Sequence, residues 1–132
     1  MNKISEYYKP FLEATEKAAI AAAKLRGCKD GKKADQAATE AMRSVLSNQE
    51  ILTTVVIGEG ERDEAPMLFI GEKLGKDDSE IKVDIAVDPL ECTNHCAFNL
   101  PDSIAVLAGA PPGSLLHAPD TVSYTHLRAH ET

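Results

Sequence analysis

Acidic residues follow two short apolar runs of this sequence. The first run leads into the glycine-punctuated turn IGEGERDEAP, and the second, VDIAV, leads into DPLECT. Carboxylate oxygens are the ligands that Mg²⁺ and Mn²⁺ prefer, and α/β proteins place ligands beyond the carboxyl ends of strands. Either feature alone is more typical of a capped turn. Together they predict a shared Mg²⁺ or Mn²⁺ cluster, with the first turn supplying Glu59 near Glu61, Asp63 and Glu64, and the second supplying Asp88 and Glu91.

Thr93 follows the second acidic turn. A hydroxyl beside metal-held carboxylates can position or help deprotonate a water molecule that attacks a phosphoryl group. A turn threonine that is hydrogen-bonded to the backbone is an equally good interpretation of the same residue. The sequence therefore leaves both roles open for Thr93.

The charge balance excludes several classes of partner. The chain has 132 residues and a net charge of −7, and residues 59–91 hold eleven acidic against four basic side chains. Nucleic-acid binding needs a basic surface, so no nucleic-acid partner is expected. The sequence has no apolar run near the ~20 residues of a membrane span, and its first residues lack the apolar core of a signal peptide. We therefore expect no membrane association and a cytoplasmic location. The three cysteines are expected to be reduced.

Apolar spacing predicts helices and strands in one α/β domain. A helix is predicted over 11–25, with Pro10 fitting a first helical position and Gly27 ending the helix, and a second helix is predicted over 33–47. A short third helix is predicted over 65–74. The β-branched runs predict three strands, over 53–57, 83–87 and 104–107. The domain is assigned to residues 1–122, because the last ten residues, SYTHLRAHET, lack apolar periodicity and resemble a non-native translated tail, on which no site is built.

Three segments carry a resemblance to a known family. They are VVIGEGERDEAPMLFIGEKLG, VDIAVDPLECTN and DSIAVLAGAPPGSLLHAPD. Together they resemble the class II, GlpX-type fructose-1,6-bisphosphatases of the lithium-sensitive phosphatase superfamily, whose signature is an Asp-Pro-Ile/Leu-Asp/Glu-Gly-Thr turn. The similarity runs from about Phe11 to Asp120, which is under half of a family member. It implies the N-terminal part of a layered sugar-phosphatase fold, with helices packed on a mixed sheet.

The resemblance also implies an activity and a set of site residues. The activity is metal-dependent hydrolysis of the 1-phosphate of fructose 1,6-bisphosphate by a full-length, homo-oligomeric enzyme. Metal ligands are implied at Asp35, Glu59 and Asp88, and Glu91 is implied to lie at the metals with a catalytic role. Thr93 is implied to activate the water and to contact substrate. Asp35 alone would be interpreted as an acid that stabilises the start of a helix.

This chain departs from the family pattern in three ways. Cys92 stands where the signature has Gly, and Gly31 stands where the family has Lys, so Lys32 is the nearest candidate to contact substrate. A further ligand, a Glu, and most of the sugar-phosphate contacts belong to a C-terminal half. A sheet built to pack against such a half is expected to expose Val55, Ile57, Ile85 and Val106.

Three alternative functions stay open. One is a non-catalytic fragment that binds cations weakly or needs a partner to complete its fold. Another is a related sedoheptulose bisphosphatase or inositol phosphatase. The third is a zinc site at the closely spaced Cys92, His95 and Cys96, with His117 farther along the chain, although these residues form no CxxC pair.

Overall fold

The computed structural model describes residues 7–60 and 67–117. In these ranges the chain forms three helices and four strands: α1 (Tyr8–Ala23), α2 (Gly31–Ser47), β1 (Leu52–Ile57), β2 (Lys73–Gly75), β3 (Lys82–Glu91), α3 (Thr93–Ala97) and β4 (Ile104–Ala110). The predicted tail, and the boundary placed after residue 122, lie outside the described residues.

The four strands form one mixed sheet in the order β2-β1-β3-β4. β1 and β3 run parallel in the centre, while β2 and β4 pair antiparallel at the two edges. Both long helices contact β3, and α1 also lies against β4. The predicted α/β class with helices on a mixed sheet is therefore confirmed.

Small side chains bring the two long helices close together. Ala14, Ala18 and Ala22 recur every fourth residue on α1 and are buried, so the backbone of α1 can approach its neighbours closely. From α2, Met42 and Leu46 enter the core completely. The core therefore lies between this helical layer and the sheet.

The sequence places the start of α2 two residues too late. The helix begins at Gly31, and the Asp30 side chain accepts a hydrogen bond from the backbone N–H of Lys33, which is the usual role of an N-cap aspartate. Asp35 therefore lies in the second turn of α2. The interaction of an acid with the helix dipole falls off within the first turn. The interpretation of Asp35 as an acid that stabilises the helix start is therefore less favoured.

The short helix predicted over 65–74 is wrong for its described part. Residues 67–72 form turns, and Lys73–Gly75 is the edge strand β2, which pairs with β1. Leu68 has φ +53° and Gly71 has φ +92°, and these left-handed conformations cannot continue a right-handed helix. A short apolar run does not distinguish a helix from a strand by its spacing.

The predicted set of exposed apolar residues is half wrong. Val55 and Ile85 are buried because they face the helices, and Ile57 is half-buried. Val106 is 44% exposed, as predicted, and Ile104 on the same strand is 55% exposed. Since side chains alternate along a strand, β4 directs Ala105 and Leu107 to the core and Ile104 and Val106 to the uncovered side of the sheet.

In the described ranges, neither α1 nor α2 has both the length and the apolar character that a bilayer crossing needs.

Candidate metal centre

Three elements bring the predicted carboxylates to one end of the sheet. Glu59 follows β1, while Asp88 and Glu91 lie at the carboxyl end of β3. Because β1 and β3 are parallel, their carboxyl ends meet at the same edge of the sheet. The second turn of α2 supplies Asp35, which is close enough to Glu59 to share a hydrogen bond with it.

Asp35 and Glu59 form the first pair of carboxyl groups. Burial raises the pKa of Asp35, and the hydrogen bond with Glu59 acts in the opposite direction. Two carboxyl groups in contact favour sharing a proton or a cation, because two negative charges at this distance repel each other. The Asp35–Glu59 pair is therefore a place where bound positive charge is favourable.

Asp88 and Glu91 form the second pair. Burial, the hydrogen bond with Glu91 and the negative charge of Glu91 raise the pKa of Asp88 to about 7, and the charge of Asp35 adds to this effect. The backbone N–H of Leu90, 3.2 Å from Asp88 Oδ1, opposes it. Because Asp35 acts electrostatically on Asp88, the two pairs belong to one acidic cluster, which we call the carboxylate cluster (Asp35, Glu59, Asp88 and Glu91).

The donor chemistry of the carboxylate cluster fits a hard divalent cation. All four side chains offer oxygen, and Mg²⁺ and Mn²⁺ select oxygen ligands. As they stand, however, no three Asp, Glu, His or Cys side chains in residues 7–60 and 67–117 are arranged to hold one ion. The cluster thus supplies ligands as two pairs without a completed coordination shell. The other predicted acids of the first turn, Glu61, Asp63 and Glu64, lie outside the described residues.

The raised pKa of Asp88 predicts a pH-dependent stability in the absence of metal. The ordinary pKa of 3.8 rises to about 7 in the folded chain, so a proton on Asp88 favours folding. Its contribution is fully present below pH ~4 and is lost as the pH rises through ~7. In EDTA, the urea midpoint should therefore fall between about pH 5 and pH 7.5, and Asp88→Asn should flatten this change. An equally steep fall in the Asp88→Asn variant would contradict the assignment.

Thr93 is the first residue of α3 and lies over the start of α2. A Cβ built on Gly31 would be 3.5 Å from Thr93 Oγ1 and 3.3 Å from Asn94 Oδ1. Among the described residues, the Thr93 hydroxyl makes no hydrogen bond to the backbone of its turn, although the interpretation as a turn threonine requires one. Lys32 is exposed in the first turn of the same helix α2.

Cys92 occupies a strained backbone position between the second carboxyl pair and Thr93. It has φ +69° and ψ +57°, the left-handed conformation, directly before α3. A side chain in this region costs roughly 1–2 kcal/mol, whereas glycine adopts it freely. The conformation explains why the signature of the resembling family has Gly at this position.

Replacement of Cys92 by glycine should therefore stabilise the chain. We expect Cys92→Gly to raise the free energy of unfolding by about 1 kcal/mol in urea titrations. Cys92→Ala is the matched control, because it removes the thiol and keeps the strained Cβ. An equal gain in both variants would show that the thiol, and not the backbone, causes the effect.

The side chains of the zinc alternative do not come together. Cys96 is buried and its thiol donates to the carbonyl of Ala22, 3.3 Å away, while His95 Nδ1 lies 2.7 Å from the carbonyl oxygen of Pro101. Burial raises the pKa of the Cys96 thiol, which disfavours the thiolate that zinc requires. In the described part of the chain these residues form no metal-binding group.

Sequence reasoning missed one buried acidic residue near the cluster. Glu72 is 7% exposed and pairs with Arg43 of α2, with 3.3 Å between Arg43 Nε and Glu72 Oε1. The burial of Glu72 was not predicted because a helix over 65–74 would have allowed its side chain to face solvent. Its only local signal is the preceding Gly71, which suits a turn.

Carboxylates gathered at the carboxyl ends of sheet strands are typical of α/β enzymes. Comparison with known families shows which group of such proteins this chain resembles. The family model described as bacterial fructose-1,6-bisphosphatase, glpX-encoded, matches residues 5–125. The chain belongs to this family.

Curated relatives agree with the family match. A Prochlorococcus marinus (strain AS9601) protein is 55% identical over 109 residues, which cover 83% of this chain and 32% of the relative. A Synechococcus elongatus protein is 48% identical over 120 residues, covering 83% of this chain and 35% of the relative. Both relatives are named D-fructose 1,6-bisphosphatase class 2/sedoheptulose 1,7-bisphosphatase. This chain thus spans about a third of the length of the relatives it matches.

Proposed function

We propose that a full-length protein containing this chain is a divalent-metal-dependent phosphatase that hydrolyses the 1-phosphate of fructose 1,6-bisphosphate. The products are fructose 6-phosphate and inorganic phosphate. The observation that carries the proposal is the carboxylate cluster, in which α2, β3 and the turn after β1 direct four acids to one end of the sheet. Membership of the glpX-encoded bisphosphatase family supports the same reaction.

The cluster residues and Thr93 have separate roles in this proposal. Asp35, Glu59 and Asp88 would hold Mn²⁺ or Mg²⁺, which supplies Lewis acidity and screens the substrate phosphate from the acidic residues. The Thr93 hydroxyl would orient the attacking water, and Glu91, exposed beside Asp88, would take part in removing its proton. Lys32 would contact a phosphate of the substrate from the exposed side of α2.

A chimera tests this proposal most simply. Residues 5–117 of this chain would replace the matching segment of the Prochlorococcus marinus relative, and phosphate release would be measured against Mn²⁺ and Mg²⁺ concentration. We expect metal-dependent release from fructose 1,6-bisphosphate that EDTA abolishes. Activity that survives EDTA, or activity limited to inositol monophosphate, would contradict the proposal.

Sedoheptulose 1,7-bisphosphate is a second candidate substrate. The specific reason is that the names of the relatives include both bisphosphatase activities. Both sugars carry a phosphate on C1, so the cluster would act on the same chemical group in each. The ratio of kcat/KM for the two bisphosphates in the chimera decides between one substrate and two. Homo-oligomerisation and a cytoplasmic location stay predictions.

A further inference from the structure

We propose that the ion pair between Arg43 and Glu72 positions the turn that carries Glu59, and that Glu72 is therefore a positioning residue for the carboxylate cluster. The proposal rests on the proposed function only in taking Glu59 as a metal ligand. Its structural content is that α2, the helix that carries Asp35, also holds the backbone of the Glu59 turn through Arg43.

Glu72 connects the helix to a backbone amide of the turn. Its Oε1 accepts from the backbone N–H of Leu68 at 2.9 Å and from Arg43 Nε at 3.3 Å, and its Oε2 lies 3.5 Å from Arg43 Nη2. Both carboxylate oxygens are thus engaged by Arg43 of α2. The Leu68 amide is fixed relative to the helix as a result.

The segment from Leu68 to Ile70 in turn holds both ends of the described part of the Glu59 turn. Its carbonyl accepts from the Glu59 N–H at 2.9 Å, and the N–H of Ile70 donates to the Gly60 carbonyl at 2.9 Å. Gly58 packs so closely on this segment that a Cβ there would overlap the Leu68 carbonyl oxygen. A shift of Leu68 would therefore move Glu59.

The backbone of Leu68 needs such a constraint. Leu68 is fully buried and has φ +53°, an unfavourable conformation that persists only when surrounding groups enforce it. A buried carboxylate is weak support for stability in itself, because its desolvation offsets the attraction of the ion pair. The more direct effect of the Glu72 carboxylate between Arg43 and the Leu68 amide is to fix the position of the Leu68 backbone.

Glu72→Gln in the complete 132-residue chain tests the proposal, because it keeps an oxygen acceptor and removes the charge. Amide hydrogen exchange would be followed at Glu59 and Leu68, and Mn²⁺ binding by the loss of the free-ion electron paramagnetic resonance signal. We expect exchange at both amides to accelerate and Mn²⁺ binding to weaken by roughly 10–100-fold, as for other groups that orient ligands. Arg43→Lys should restore part of the loss that Arg43→Gln causes.

Two matched variants separate positioning from general stability. Glu50→Gln removes an ion pair with Lys76 whose side chains are 90% and 54% exposed, and it should change neither readout. Leu46→Val removes a buried methylene group on the same helix. It should accelerate amide exchange at many residues, with no larger effect at Glu59 than elsewhere. If Glu72→Gln unfolds, Arg43→Gln replaces it, since Arg43 is 39% exposed and leaves the core intact.

The possible outcomes distinguish this proposal from the proposed function. Selective acceleration at Glu59 and Leu68 supports positioning even if the wild-type chain fails to bind Mn²⁺, a failure that would count against the metal site alone. Wild-type exchange rates at both amides in Glu72→Gln and Arg43→Gln would overturn the positioning role. Unchanged Mn²⁺ affinity in these variants, where Glu59→Gln weakens it, would also overturn it.

Discussion

Thr93→Val should lower kcat of the chimera by roughly 10²–10⁴-fold, the range typical of groups that move or orient a proton. Valine keeps the branched shape of threonine at the start of α3 and deletes only the hydroxyl. Because the Thr93 hydroxyl makes no hydrogen bond to backbone within the described residues, the substitution removes no structural contact of that kind. Half-saturation by Mn²⁺ should therefore stay unchanged while turnover falls.

Thr15→Val in α1 is the matched control for this prediction. The Thr15 hydroxyl donates to the Leu12 carbonyl within the helix, 2.9 Å away, and lies outside the carboxylate cluster. Its loss should leave kcat unchanged. A Thr93→Val enzyme within about twofold of the parent would remove Thr93 from the proton-handling groups.

The chain by itself should show no bisphosphatase turnover above background. It spans about a third of the length of its relatives, and the described carboxylates form two pairs without a complete set of metal ligands. An incomplete shell holds the ion loosely and misplaces the attacking water, and positioning supplies much of the rate in such reactions. The exposed Ile104 and Val106 of β4 are also expected to promote self-association.

Phosphate release at saturating Mn²⁺ tests this expectation when the chain and the chimera are assayed side by side. The chimera should be active and the chain inactive at equal concentration. Size-exclusion chromatography should show larger species for the chain than its mass predicts. EDTA-sensitive turnover by a monomer of the chain would contradict the prediction and show that this segment contains a complete site.

The sequence predicts part of the site because β-branched runs indicate where two strands end. Glu59 and Asp88 follow β-branched runs, and the parallel pairing of β1 and β3 then brings them to one edge of the sheet. Asp35 is different, because it lies on a helix far earlier in the chain. Only the resemblance or the position of α2 in the structure indicates that it belongs to the site. Spacing alone carries no information about how a helix is oriented over a sheet.

Long-range contacts account for what the sequence does not predict. β2 becomes a strand because β1 offers it a partner across the turn, although its local apolar spacing is equally compatible with a helix. Glu72 becomes buried because Arg43 and the Leu68 amide satisfy its oxygens. The strain at Cys92 depends on a backbone angle that no residue pattern of a single chain specifies.

Mn²⁺ binding to the wild-type chain and to Asp88→Asn, measured by electron paramagnetic resonance at about pH 7.5, tests the carboxylate cluster most directly. Asp84→Asn is the matched control, because Asp84 lies four residues earlier on β3, about 13 Å away along the strand, and accepts from the Gly113 N–H. The cluster predicts that the wild-type chain and Asp84→Asn bind Mn²⁺ alike and that Asp88→Asn binds at least about tenfold more weakly. Equal binding by all three proteins would contradict the assignment of a metal site to these carboxylates.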